Sequence, residues 1–460
     1  MTFGYTRRST ASHRARPHRR LGLSAIAIAV AFTGCQDPIL PTEVTTPQAS
    51  LVAAAPAGQF VEVGEAEAFG RFLGRDYVRI TGRFEGTTSA GEYRVPFEIV
   101  VPEHAHDGNG TVLIEPPHFA QRFSGRDDYL GQDFLFNRGY RWASVGWSTF
   151  AQSVLDPEAT DVEIPGGQDD EIVVQFVNAL KHSHEGAQLL GKAHRFYGFG
   201  FSQTSWLMHR LLRSEHGPGL FDFTMLAATW WQGGGFQGEY TPVTGVGKVM
   251  IVQAEADLVI SDGRVLRAAA DRPSTYRVYE VAGAAHIPDI PENYDNPVFG
   301  PGIEGTNPVD WSIIARAAFV AGDRWHRWHR SPTASVFLDD DTSGDPDPVY
   351  GFPTQIARNA DTNALGGVRL PEVELGVWRA QAADPNAQVG FLTGAFEDIS
   401  CTPAADGSVR FPRRGTYLRD VVRQVRELRR DRLMLHKDAI EAIAYAFASD
   451  IGRRGSCPTP

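Results

Sequence analysis

The chain has 460 residues, 42% of them hydrophobic and 11% aromatic, with a formal net charge of −11. This length allows one large domain or up to three, and enough apolar sequence to bury a large core. So acidic a surface repels phosphate backbones, which excludes nucleic acid as an expected partner.

Residues 1–35 read as an export signal. Arg7, Arg8, Arg14, Arg16, Arg19 and Arg20 give a basic start without an acid, so the rest of the chain is more acidic than its total implies. Leu21 to Gly34 is an apolar run of fourteen residues, within signal-peptide range and short for a membrane span. Phe32-Thr33-Gly34-Cys35 resembles a bacterial lipobox, in which Cys35 becomes the lipidated N-terminus. Phe32 stands where leucine is usual, so periplasmic or secreted release remains the alternative to a membrane-anchored lipoprotein. Residues 36–57, rich in Pro, Thr and Ala, read as a flexible linker.

From residue 58 the pattern alternates. Tyr77–Gly82, Tyr93–Val101 and Thr111–Glu115 predict strands, the last stopping at Pro116-Pro117. Asp127–Asn137 predicts a helix, Tyr140–Gly146 a strand and Gln168–Leu190 one long helix. His194–Phe199 is strand-like and Thr204–Arg213 helical. Phe221–Trp231, Lys248–Gln253 and Tyr276–Val281 are further strands. Such alternation predicts a mainly parallel sheet flanked by helices over residues 58–330. Residues 331–460 form an extension with an acidic loop at Asp339–Pro348 and amphipathic helices at Thr416–Arg429 and Lys437–Ala448.

The stretch from Phe196 to Leu212 (FYGFGFSQTSWLMHRLL) carries the first chemical signal. A dinucleotide fingerprint needs a third glycine where Gln203 stands, and a phosphate loop needs a Gly-Lys-Ser/Thr ending that is absent. Gly200-Phe201-Ser202-Gln203-Thr204 fits a nucleophile elbow instead, a sharp strand-to-helix turn presenting a serine. Thr204 departs from G-x-S-x-G, and the bland alternative is a core serine at a helix start. A serine hydroxyl needs a histidine to take its proton and an acid to orient that histidine. Val249–Gln253 runs into Ala254-Glu255-Ala256-Asp257, and Tyr276–Val281 runs into Ala282-Gly283-Ala284-Ala285-His286. Each candidate lies past a strand end, where open parallel sheets bind ligands, and the order Ser202, Asp257, His286 is that of α/β-hydrolases. Glu255 is the alternative acid. In an extended chain it would share a face with Asp257 and stay at the strand rim.

Several stretches together resemble a bacterial family of α/β-hydrolase domain-containing proteins with a G-x-S-Q-[ST] elbow. They are Gly110–Glu115 followed by Pro116-Pro117-His118-Phe119, Arg138–Val145, Gly200–Thr204, Asp271–His286 and Ala364–Pro371. The resemblance spans roughly residues 60 to 450. It implies the α/β-hydrolase fold, places the family's serine and histidine on Ser202 and His286, and makes Thr204 an expected variant. The acid loop departs, reading A-E-A-D where relatives have T-E-T-D or T-E-S-E.

An oxyanion needs preorganised N–H donors. Gln203, after the nucleophile, is one candidate. Because Pro116 and Pro117 have no N–H, His118 or Phe119 is the other. Trp230 and Trp231 could line an apolar or aromatic acyl pocket or belong to the core. Any lid must come from the segment after His286 or from the C-terminal region. Cys401 and Cys457 form a disulfide or remain two thiols. Asp339-x-Asp341-x-Ser343-Gly344 copies half a calcium loop but has Tyr350 at the twelfth position, so it reads as solvated loop. His182 and His184 read as exposed helix face, and His326 and His329 as an exposed helix end. No metal or cofactor is expected. The function these features predict is hydrolysis of small-molecule carboxylic esters by an exported serine hydrolase. Acyl transfer by the same acyl-enzyme route, or an inactive hydrolase fold serving as a surface binding protein, are the alternatives.

Overall fold

The computed structural model describes residues 58–118, 124–149, 151, 155–156, 158, 160–229, 241–259, 263–287, 307–351, 353–383 and 390–457. The fold begins with an antiparallel block. Strands β1 (Gln59–Val61) and β2 (Glu67–Phe72) both pair with β3 (Arg75–Thr87), which pairs with β4 (Glu92–Pro102) from Tyr77 opposite Pro102 to Thr87 opposite Glu92. Six strands continue the sheet in parallel: β5 (Thr111–Ile114), β6 (Arg141–Val145), β7 (Arg195–Phe201), β8 (Phe223–Ala227), β9 (Lys248–Ala254) and β10 (Tyr276–Val281). The order across the ten strands is β1-β3-β4-β6-β5-β7-β8-β9-β10, with β2 on β3 and β4 antiparallel to β6.

The parallel strands are buried on both faces, as crossover helices require. Alternate residues of one strand enter opposite cores. In β9, Val249 and Ile251 join Val173, Phe176, Leu207 and Leu211, whereas Met250 and Val252 join Ile314, Ala318 and Phe319. The first set comes from α2 (Asp170–His182) and α4 (Gln203–Arg213), the second from α6 (Ser312–Trp328).

Two expected helices are interrupted. Asp127–Asn137 is a π-helical turn, Gly125–Tyr129, followed by the short α1 (Gln132–Phe136), because Gly131 between them has φ of +88°. Gln168–Leu190 is α2 and then α3 (His184–Leu190). Ser183 leaves the helical conformation there, and its Oγ accepts the Gly186 N–H at 2.8 Å to start the second helix. His182 and His184 at this break are exposed. Of the expected strand Phe221–Trp231, β8 occupies the middle, and Trp230 and Trp231 lie outside the described residues.

Beyond residue 330 the chain extends the same layers. Val336 and Val368 bridge in parallel to Tyr279 and Val281, covering the outer edge of β10. Then come α7 (Pro371–Glu374), the two-stranded sheet of β11 (Trp378–Gln381) and β12 (Ala395–Asp398), and α8 (Gly390–Thr393) in the link between those strands. The final pair is α9 (Arg414–Arg430) and α10 (His436–Ala448). Tyr417, Val421, Val425 and Leu428 of α9 share a core with Phe319 of α6, so the extension and the sheet domain bury one continuous surface. A Cys401–Cys457 disulfide, Cα atoms 5.3 Å apart, joins the segment before α9 to the one after α10. The acidic loop is not wholly solvated. Asp347 is buried, accepting from Thr354 Oγ1 and Arg358 Nε at 2.6 Å each. His329 is exposed, but His326 is half-buried with its ring 5.9 Å from that of Tyr197. Among the described residues no helix is long and apolar enough to cross a membrane.

Candidate active site

β7, β8, β9 and β10 lie side by side and parallel, so their C-terminal ends open onto one edge. Ser202 follows β7 directly, with φ 53° and ψ −116°. That is a strained conformation for a residue with a Cβ, and the surrounding bonds maintain it. Ser202 N–H donates to Ala227 O at 3.0 Å, and Ser202 O accepts from Trp206 N at 3.1 Å in the first turn of α4. A Cβ on Gly200 would come within 2.4 Å of Thr204 O, so that position must be glycine for helix and strand to cross this closely. Thr204 is not merely tolerated. Its Oγ1 accepts from Phe201 N and donates to Phe201 O, both at 3.0 Å, closing the turn over backbone groups at the strand end.

The acid and the histidine arrive from the next strands. Ala254 of β9 pairs with Val281 of β10, and both chains then turn over the same edge. The acid segment does not stay extended. It coils at once into α5 (Glu255–Val259), which sends Glu255 and Asp257 to different partners. Asp257 Oδ1 lies 2.6 Å from His286 Nδ1, and its Oδ2 accepts from Ala254 N at 2.9 Å. His286 Nε2 lies 2.9 Å from Ser202 Oγ. Because a carboxylate only accepts, Nδ1 carries the proton in neutral His286, and Nε2 is left to accept from the serine hydroxyl. Ala256 N donates to Ala284 O at 3.1 Å, tying the two loops by their backbones. Ser202 is 7% exposed, His286 2% and Asp257 fully buried.

Glu255 does not remain at the rim. It is fully buried, accepting from Gly283 N at 2.7 Å and Arg358 Nη2 at 2.9 Å. Both its carboxylate oxygens are thus engaged away from His286.

The structure brings the other expected residues into partial view. Gln203 is the first residue of α4, where the N–H has no acceptor within the helix. His118 is buried, its ring 5.6 Å from that of Phe201, which itself stands 5.0 Å from His286. Burial, reinforced by the charge of a protonated His286, pushes His118 down to about 3, so it is neutral at physiological pH. Phe119, Trp230 and Trp231 lie outside the described residues, as do Cys35, the export signal and the segment just after Ile287. Among the described residues no group of acidic, histidine or cysteine side chains could hold a metal ion.

Two features had no role assigned from sequence. Glu115, just past β5, is buried and takes hydrogen bonds from Gly125 N, Arg126 N (3.1 Å) and Trp142 Nε1 (2.7 Å). Burial pushes it up to about 7 despite the Trp142 and Gly125 bonds. An acid terminating an apolar run was the visible signal. Behind the elbow, Ser205 Oγ lies 2.6 Å from Thr229 Oγ1, and Thr229 N donates to Gln253 Oε1 at 2.7 Å, lacing the ends of β8 and β9 to α4. No local pattern announces that chain.

A strained serine between a parallel strand and a helix, with an acid and a histidine brought by later strands in that order, is the architecture of an alpha/beta hydrolase. The model of the alpha/beta hydrolase domain family matches residues 58–444, and the chain belongs to that family. No curated protein matches its sequence. Among solved structures it is similar to brefeldin A esterase, a bacterial homologue of human hormone sensitive lipase. That likeness has 9% identity and a TM-score of 0.32, covering 44% of this chain and 68% of that one. It is also similar to esterase Est22, at 15% identity and a TM-score of 0.30, over 44% of this chain and 71% of the other. Family membership rests on the match across residues 58–444 and not on these partial likenesses.

Proposed function

We propose that the protein is a serine hydrolase that cleaves small carboxylic esters through an acyl-enzyme. The observation that carries this reading is the unbroken chain from Ser202 Oγ to His286 Nε2 (2.9 Å) and from His286 Nδ1 to Asp257 Oδ1 (2.6 Å). Ser202 Oγ attacks the ester carbonyl carbon while its proton passes to His286 Nε2. Asp257 holds the ring in the required tautomer and stabilises the imidazolium. The N–H of Gln203 faces the developing oxyanion, with His118 or Phe119 as the second donor. Collapse breaks the ester C–O bond, and the imidazolium returns its proton to the departing alkoxide. Water, deprotonated by His286, then attacks the acyl-enzyme carbonyl; the bond from the acyl carbon to Ser202 Oγ breaks, His286 returns the proton to that oxygen, and the acid is released.

The preference for an apolar or aromatic acyl group, with Trp230 and Trp231 at the pocket, is part of this proposal. So is export with lipidation at Cys35, on the basic start, apolar run and lipobox-like residues. Labelling with a fluorophosphonate probe, followed by peptide mapping, tests the nucleophile. The expected adduct is on Ser202, and a protein that stays unlabelled while natively folded refutes the reading. p-Nitrophenyl esters of graded chain length, beside aromatic and sugar esters, then define the acyl preference. Mass spectrometry of the mature N-terminus tests the anchor, which an unmodified Cys35 rules out.

A further inference from the structure

We propose that Arg358, held by Asp347 and acting through Glu255, is a positioning residue that sets the distance between Asp257 and His286. The inference rests on the proposed triad and adds to it a dependence on a residue of the C-terminal extension.

Glu255 touches both loops that must meet. Its backbone opens α5, whose third residue is Asp257, and its Oε2 accepts from Gly283 N at 2.7 Å, three residues before His286. One side chain therefore spans from the acid loop to the histidine loop. Gly283 is fixed on its other sides as well. Its φ is +73°, a Cβ there would lie 2.8 Å from Ala380 Cβ, and its carbonyl accepts from Asn307 Nδ2 at 2.7 Å. The span is only as rigid as the Glu255 rotamer, and that is held by Arg358 Nη2 at 2.9 Å. Arg358 is held in turn by Asp347 Oδ2 on Nε at 2.6 Å, by Thr362 O on Nη1 at 3.1 Å, and by the Tyr350 ring 5.2 Å from its Cζ. Asp347 also accepts from Thr354 Oγ1 and from Val349 N.

All three charged side chains are buried, with Glu255 at 0%, Arg358 at 3% and Asp347 at 1% exposure. An ion-pair triad this deep is a poor source of stability, because desolvation offsets the attraction. What it supplies is direction. Arg358's planar fork holds two carboxylates in a fixed relative direction, which the rotatable ammonium of a lysine does not impose. Without it, Glu255 and Asp347 become two like charges in an apolar interior and must move, be protonated or admit water. Any of these loosens Gly283 and shifts His286 relative to Asp257. A displacement of about 1 Å at reacting groups costs on the order of 10²-fold in rate.

The test compares Arg358→Met, Arg358→Lys and Glu255→Gln, each alone and combined with Asp257→Asn, on p-nitrophenyl butyrate. Arg358→Met is expected to lower kcat on the order of 10²-fold with KM changed only a few-fold, while circular dichroism stays native. The downfield proton resonance of His286 Nδ1 should broaden or disappear. Arg358→Lys should restore part of kcat, and Glu255→Gln should fall between Lys and wild type. In the Asp257→Asn background the Arg358 substitution should add little, because the bond it positions is already gone. If Arg358→Met fails to fold, the Lys and Gln variants carry the same comparison. Wild-type kcat and an intact resonance in those two, or full additivity with Asp257→Asn, overturns the proposal. Wild-type activity in Ser202→Ala or Asp257→Asn instead overturns the triad itself, so the two failures are distinct.

Discussion

The open end of the parallel strands and the chain beyond residue 330 meet along β10, yet they are held together by different means. At the strand ends, Ser202, Asp257 and His286 each lie within five residues of a strand, and the sheet register alone delivers them to one edge. Among the described residues between 330 and α9 regular structure is sparse, and discrete long-range links replace it. Asp340 pairs with Arg267 at 2.6 Å, Arg358 with Glu255 and Asp347, Arg410 with Asp361 at 2.7 Å, and Cys401 is bonded to Cys457. The first region places its candidate groups by repetition of one local rule, a strand followed by a turn. The second is tied to that edge through single residues, so individual substitutions there should act on geometry and stability more than on chemistry.

The sharpest way to break that contrast is at the strand ends. Ser202→Ala should abolish turnover. Asp257→Asn should lower kcat by roughly 10⁴-fold, by analogy with a triad aspartate, with little change in folding. Glu255→Gln, two residues away, should cost far less, since Glu255 faces Gly283 and Arg358 rather than His286. Steady-state kinetics with circular dichroism on all three checks this. A dead Glu255 variant beside an active Asp257 variant would reverse the assignment.

That pair also shows how far the sequence could be read. The parallel sheet, the strand-to-helix turn at Ser202 and the arrival of Asp257 and His286 at the same edge were legible, because each depends on a short apolar run and the few residues after it. The choice between Glu255 and Asp257 was not settled by period-2 alternation. α5 begins at Glu255 itself, and a helical turn separates side chains that an extended chain would align. The break at Ser183 was hidden for a similar reason, since the helical pattern resumes on its far side. Arg358 carried no local signal at all. Its meaning depends on a partner 103 residues away, and an isolated Arg in a loop reads as solvated.

The next largest effect belongs to the extension. The bridge closes a loop of sequence separation 56. By the chain-entropy relation, replacing both cysteines with alanine should lower stability by about 4 kcal/mol. Under the proposed function, turnover at ambient temperature should persist, because Cys401 and Cys457 are exposed residues outside the Ser202–His286–Asp257 hydrogen-bond chain. Denaturant titration with and without reductant measures it, and an unchanged midpoint would remove the bridge from the account of this region.

Glu115 tests whether the strand-end region also carries electrostatic cost. Its folded value is about 7, raised from 4.5 chiefly by burial. A raised carboxyl means the native state binds the proton more tightly than the unfolded chain. The contribution of this group to stability is therefore fully present below about 4.5 and is lost as pH rises through about 7, by about 3 kcal/mol in all. Glu115→Gln should flatten that slope between those limits, whatever its effect on absolute stability. Thermal unfolding across the range decides it, and an identical slope in the variant would show that Glu115 is not its source.

The smallest expected effect lies at the elbow, where the chain departs from the generic glycine. Thr204 has a methyl that fits and a hydroxyl that both accepts from Phe201 N and donates to Phe201 O. Thr204→Val keeps the shape and removes the hydroxyl, leaving those two buried backbone groups without it. The cost should be about 1–2 kcal/mol in stability. A few-fold loss in kcat should follow, because the turn that holds Ser202 at φ 53° is less firmly closed. Thr204→Ser should recover both, since it returns the hydroxyl. Thr204→Gly should not, although it restores the generic motif, since it adds chain flexibility and supplies no acceptor. Should Val prove as stable and active as wild type, the hydroxyl is incidental and Thr204 is simply the largest residue the crossing of β7 and α4 admits.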